Sequence, residues 1–259
     1  MEAKEETRRC MLGFAQIWQK VMEEELEAIE QAANLVVKSF QKQGNFYLFG
    51  TGHSHLIAEE VYARAGGLAN VKAILPTEIM LHERPLKSTM IERLSGYAAG
   101  LLTLYDLNEK DTLLVISNSG RNNVPVEMCL EAKKRGANVI VLTSLAHSMQ
   151  VSSRHSSGKC LFELADVVLD NHAPQGDATC QMENLPEKLG PISDFTGIGL
   201  VQALVVAIAN LMQAAEMPVP IFESSNLDGA DEKNRQLFAE YFLKEKVSCR
   251  LSNRLTPKS

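Results

Sequence analysis

The sequence predicts an α/β protein with three layers: a parallel sheet of five strands between two layers of helices, preceded by a long N-terminal helix. Three observations lead there. Short apolar runs alternate with helical stretches along the chain, and that rhythm requires parallel pairing through right-handed crossovers. The runs are apolar at nearly every position rather than at every second one, so both faces of each strand are buried. Two of the runs end in turns rich in glycine and serine, at the carboxyl edge where sheets of this kind bind ligands.

The elements follow in order. Ile17, Val21, Leu26, Ile29, Ala33, Val36 and Phe40 recur mostly three or four apart, which predicts one long amphipathic helix over 13–43, ended by Gly44. NFYLFG (45–50) reads as the first strand. GTGHSH then leads into a helix, LIAEEVYARAGG, that stops at Gly66 and Gly67. VKAIL (71–75) is the second strand, followed by the polar stretch PTEIMLHERPLKS and a helical segment over 88–104. DTLLVIS (111–117) is the third strand, NSGRNN a turn, and 124–137 a helix with Pro125 in its first turn, where proline is tolerated. NVIVLTS (138–144) and LADVVLDN (164–171) complete the sheet. Residues 172–193 read as loop, 195–217 as a long helix stopped by Pro218, and 231–246 as a final helix.

Composition bounds the function. The chain has 259 residues, 45% of them hydrophobic and 22% charged, which suits a globular protein with a sizeable core. A net charge of −6 argues against a protein that neutralises nucleic-acid phosphates, but a local pocket can still be positive. The N-terminus is charged and lacks an apolar core segment, so no signal peptide is expected. The most apolar stretch, Ile198 to Met212, is interrupted by Gln202 and Asn210 and reads as a core helix rather than a membrane span. The five cysteines include no CxxC pair and read as reduced thiols of a cytoplasmic protein. His155, Cys160, His172 and Cys180 cluster without a zinc spacing, so neither a metal nor a cofactor is expected.

The candidate site lies in the two turns. Gly50-Thr51-Gly52-His53-Ser54 joins a strand to a helix, and its glycines allow close approach of a ligand to unpaired backbone N–H groups. It is not a dinucleotide fingerprint, because His55 stands where the third glycine should be. Ser117-Asn118-Ser119-Gly120-Arg121-Asn122 places short hydroxyl donors around one point, again between strand and helix. Glycine turns between strands and helices are common, and N-capping alone could explain the second turn. Two of them at one sheet edge point to an anion. Arg121 directly follows the second turn's glycine and is placed to screen it.

GTGHS, DTLLVISNSGRNN, GANVIVLTS and LADVVLDN together resemble the sugar isomerase (SIS) domain over roughly 30–214. The resemblance implies a flavodoxin-like sheet in the order 2-1-3-4-5, a homodimer, and a phosphorylated sugar as ligand. It implies that Ser54, Ser117 and Ser119 hold the sugar phosphate, with Gly52, His53, Gly120 and Asn122 beside them. Many members carry threonine where this chain has Asn122. The whole pattern, including FESSNLDGADEKN, is most similar to an uncharacterised bacterial branch labelled phosphoheptose or sugar isomerase. On this basis 1–29 is a helical arm, 30–214 the SIS domain, and 215–259 a helix and tail packed on it.

Isomerisation of an aldose to a ketose needs a base to move a proton between C1 and C2, and an acid/base to open the ring. Phosphoheptose isomerases carry a glutamate on the first crossover helix where this chain has Arg64. Arabinose-5-phosphate isomerases carry a histidine after the second strand, and TEIMLHE places His82 similarly. His82, with Glu60 or Glu83, is the expected catalytic set, while His147 and His155 read as solvated. The expected function is a sugar-phosphate isomerase with neither nucleic acid nor membrane as partner. A non-catalytic phosphosugar sensor and an etherase-like lyase on an amino-sugar phosphate remain as alternatives.

Overall fold

In the computed structural model, which describes residues 3–242, β1 (Phe46–Gly50), β2 (Val71–Ile74), β3 (Thr112–Ile116), β4 (Asn138–Thr143) and β5 (Val167–Asp170) form one parallel sheet in the order β2-β1-β3-β4-β5. The helices are α1 (Ala3–Glu24), α2 (Leu26–Gln41), α3 (His55–Glu60), α4 (Pro85–Ile91), α5 (Tyr97–Leu101), α6 (Asn123–Lys134), α7 (Leu145–Ser148), α8 (Ser193–Ala214) and α9 (Ala230–Tyr241). A small antiparallel hairpin, β6 (Ala178–Cys180) and β7 (Leu189–Pro191), precedes α8.

Side-chain alternation along the strands builds two cores. Phe46, Leu48, Leu114, Ile116, Ile140 and Leu142 face one way and pack with α2, α3 and α8. Tyr47, Phe49, Leu113, Val115, Val139 and Val141 face the other way and pack with α5 and α6. The strands read as unbroken apolar runs because each face has its own helical layer. Burying each large side chain contributes roughly 1.5–3 kcal/mol, so losing either layer would leave the sheet unstable in water.

α8 carries the tightest helix packing. An added Cβ on Gly197 would lie 2.5 Å from Ile57 of α3, and one on Gly199 would lie 2.3 Å from the Trp18 ring of α1. Glycine at these positions lets α8 approach both neighbours closely.

Several boundaries differ from the sequence expectation. The helix expected over 13–43 bends at Glu25 into α1 and α2, although Glu25 keeps backbone hydrogen bonds to Val21 and Ile29. The bend lets the buried Glu25 carboxylate accept hydrogen bonds from the Asp170 N–H and from His172 Nε2, both at 3.0 Å. The apolar period runs straight through it, so the sequence gives no sign. The segment expected as one helix over 88–104 divides at Gly96, whose φ is +83°. α3 stops at Glu60, well before Gly66.

The loop expected over 172–193 contains the β6–β7 hairpin, and Cys180 in it forms a disulfide with Cys10 of α1. This corrects the reading of all cysteines as free thiols: partners 170 residues apart leave no local signature. Cys129 and Cys160 are free and buried, and Cys249 lies outside the described residues. The last helix ends at Tyr241, and the expected extension over 243–246 also lies outside them.

The contact between Glu25 and His172 has a pH signature. The Glu25 hydrogen bond holds the His172 pKa above its ordinary value, against burial, and Asp170 adds to the effect. A histidine raised in the folded state stabilises the fold below its unfolded pKa of about 6.5, and that stability is lost as pH rises through the folded value. Glu25→Gln should therefore cost about 1 kcal/mol at pH 5.5 and less at pH 9, read from urea unfolding midpoints.

Candidate functional site

β1 and β3 pair in register, with Gly50 opposite Ile116, so the turns that leave them start at the same level of the sheet. β2 lies beyond β1 and β4 beyond β3. Strand order therefore reverses between β1 and β3, and a crevice opens at their carboxyl ends.

The first turn folds back tightly. A Cβ on Gly50 would lie 2.4 Å from the Ser54 carbonyl oxygen, and Gly52 sits at φ +57°. Both positions suit glycine for those reasons. Gly52–Ser54 form one 3₁₀ turn, with His53 exposed and Ser54 half-buried. His55 is buried and donates from Nδ1 to the Gly52 carbonyl, while its Nε2 lies 3.5 Å from the Glu59 carboxylate without a hydrogen bond.

The second turn is held from below. Ser117 is buried, and its Oγ accepts the Gly120 N–H at 3.3 Å. Gly120 sits at φ +59°, and a Cβ there would come within 2.9 Å of Ser148 Oγ. The Asn118 carbonyl accepts from Thr143 Oγ1 at 3.1 Å, and its side-chain oxygen accepts from Asn171 Nδ2 at 3.0 Å. Ser119 is half-buried. Asn122 is extended at the start of α6, and its Oδ1 accepts from Arg154 Nη1 at 2.6 Å instead of capping the helix.

Glu92, just past α4, clamps the two turns together. Its carboxylate accepts from Thr51 Oγ1 at 2.9 Å, and its carbonyl accepts the Val124 N–H of α6 at 3.0 Å. The expected anion-binding residues thus gather at the ends of two adjacent strands.

Residues 13–144 match the family model described as the SIS domain. A UPF0309 protein of Halalkalibacterium halodurans, BH3325, is 52% identical over 228 residues, 88% of this chain and 94% of that one. A UPF0309 protein of Geobacillus thermodenitrificans is 40% identical over 227 residues, 88% of this chain and 90% of that one.

This chain belongs to the SIS-domain family.

Among solved structures, a phosphoheptose isomerase from Francisella tularensis superposes with a TM-score of 0.55 at 19% identity, over 80% of this chain and 98% of that one. The phosphoheptose isomerase GmhA of Neisseria gonorrhoeae gives 0.53 at 18% identity, over 80% and 99%. At these identities the likeness concerns the fold.

The expected catalytic residues differ in their surroundings. The His82 ring stands edge-on to that of His55, with centroids 5.3 Å apart, which couples the 76–84 segment to the first turn. Glu83 is exposed and paired with Lys87, which holds its carboxyl below the usual range. Glu60 pairs with Arg64 and accepts from Gln202 of α8 at 3.2 Å. His147 and His155, expected in solvent, are both half-buried: burial holds the His147 pKa down, and His155 lies 3.9 Å from Glu127.

The structure adds Asp194, which the sequence reading missed. It sits in the first turn of α8, behind Ser193, whose N–H and hydroxyl both bond Asp177 at 2.8 Å. Burial pushes the Asp194 pKa up to about 6, with His53 opposing and Asp177 reinforcing the shift. An acidic residue opening an apolar helix is commonplace, so only the fold reveals its surroundings.

A carboxyl whose pKa is raised on folding destabilises the native state as pH rises from its unfolded value of about 3.9 through the folded one. Asp194→Asn should therefore be more stable than the parent at pH 8, on the order of 1–2 kcal/mol after solvent screening. The gap should close by pH 4, as read from urea midpoints at the two pH values.

Proposed function

We propose that this protein binds a phosphorylated sugar across the two turns and interconverts its aldose and ketose forms. The observation that carries the reading is the in-register exit of both turns from β1 and β3. That arrangement brings Ser54 with Gly52, and Ser117 and Ser119 with Gly120, to the carboxyl ends of two neighbouring strands. The phosphoheptose isomerases that share this fold support the same class of ligand.

With the phosphate held at the turns, the C1–C2 end of an open-chain sugar lies farther along the crevice. His82 is the candidate to assist ring opening or polarise the carbonyl. The proton shuttle falls to a carboxylate among Glu60, Glu83 and Asp194. Glu60 and Glu83 each have a cation partner four residues on, whereas burial pushes the Asp194 pKa up to about 6 against the opposing charge of His53. A base with a pKa near the working pH is the more effective one.

Each of Ser54→Ala, Ser117→Ala and Ser119→Ala should weaken binding of a sugar phosphate by about tenfold, measured by calorimetry. Equal affinity for the free sugar and its phosphate would remove the assignment. Catalysis is tested by solvent deuterium exchange into C1 or C2 of a bound sugar phosphate. His82→Ala and substitution of the true carboxylate should slow exchange by about 10²–10⁴-fold with binding retained. Binding without exchange would make the protein a phosphosugar binder without turnover.

We also propose a homodimer. Met11, Leu12, Met22 and Leu26, along α1 and the start of α2, are exposed, as is Val206 on α8. Exposed apolar surface of this kind commonly finds a symmetric partner. Sedimentation at micromolar concentration should give twice the chain mass, and a monomer would overturn the proposal.

A further inference from the structure

The second turn gathers positive charge on a chain whose net charge is −6. Arg121 lies in the turn, and its Nε is buried without a hydrogen-bond partner. Arg154 arrives from the loop after α7. Its backbone N–H bonds the Arg121 carbonyl at 2.8 Å, and its Nη1 bonds Asn122 Oδ1 at 2.6 Å. Arg93 follows Glu92, and the carbonyl of Arg93 accepts from Asn123 Nδ2 at 2.8 Å. Burial first, and then the charges of Arg93 and Arg121, press the Arg154 pKa down.

Among the described residues, none of the three forms an ion pair with a carboxylate. Glu92 is the acidic group whose charge Arg154 feels, and Thr51 already engages it. His147, also beside Arg121, is held below its ordinary pKa and stays neutral above pH 7. Glu127, 3.9 Å from His155, and Glu163, whose charge acts on Cys160 together with that of Arg121, lie nearby but pair with none of the three arginines. Unit charges a few ångströms apart near a protein surface repel by several kcal/mol, so such crowding favours a counter-anion. A phosphomonoester carries about −1.5 to −2 at pH 7 and gains more from such a group than a singly charged ester does.

We propose that Arg154, with Arg121 and Arg93, completes the anion site at the second turn and selects a terminal phosphomonoester dianion over singly charged esters. The proposal rests on the phosphosugar reading of the two turns and narrows it: sugar sulfates and sugars linked through a phosphodiester are poor ligands. Arg154 is exposed and bonded to a neutral amide oxygen, so its planar fork is free to exchange that bond for two phosphate oxygens. Asn122 then turns its amide N–H groups to the same anion.

Methyl phosphate and methyl sulfate test this without assuming a sugar, because they share a shape and differ by one charge at pH 8. The parent should bind methyl phosphate at least about tenfold more tightly than methyl sulfate. Arg154→Gln should lose about tenfold for the phosphate and little for the sulfate, and Arg154→Lys should recover part of the loss. Raising NaCl from 0.05 to 0.5 M on the parent should weaken the phosphate more than the sulfate, which keeps a test that needs no variant. If Arg154→Gln and Arg121→Gln bind methyl phosphate like the parent while Ser117→Ala does not, the arginine assignment falls and the serine site stands. If the parent ignores methyl phosphate and every sugar phosphate, both fall.

Discussion

Everything at the candidate site depends on the parallel pairing of β1 with β3. That register sets Gly50 beside Ile116 and starts both turns at one level. A one-residue slip would turn each strand's apolar set to the opposite face, so the two helical layers that bury the sheet also enforce the register. The site is accurate because the core is intolerant.

The turns are then held by contacts that are themselves partly buried. Asn118 bonds to Thr143 and Asn171 at the ends of β4 and β5, and Glu92 joins Thr51 to the start of α6. These bonds, with that of the Gly120 N–H to Ser117, fix the shape of both turns. Donors fixed before a ligand arrives lose little freedom on binding, which is where a preorganised site gains affinity.

The N-terminal part of the chain braces the same edge from outside. Glu25 bends the helix at the end of β5, where it meets Asp170 and His172. The disulfide between Cys10 and Cys180 ties α1 to the hairpin that precedes α8, and Trp18 packs against Gly199 of that helix. α8 in turn carries Asp194 in its first turn, within reach of the charge of His53. The position of one carboxyl therefore follows from contacts spread over most of the chain.

The sequence by itself determined the α/β class, the five strands, both turns and the SIS family, because each rests on local chemistry. Apolar runs mark buried strands, glycine marks tight geometry, and NSG between strand and helix is visible without any partner. Tertiary structure decided the rest. Glu25 breaks a helix through residues nearly 150 positions away, Cys10 finds Cys180, and Arg154 reaches Asn122 from a separate loop. The expected catalytic residues His82, Glu60 and Glu83 could be named from sequence neighbourhood, but their partners could not. Asp194 went unseen because its raised pKa comes from burial, reinforced by Asp177, and burial is a property of the folded chain. Long-range pairings of single polar side chains leave no period and no spacing in a sequence, and they are where this site acquires its charge.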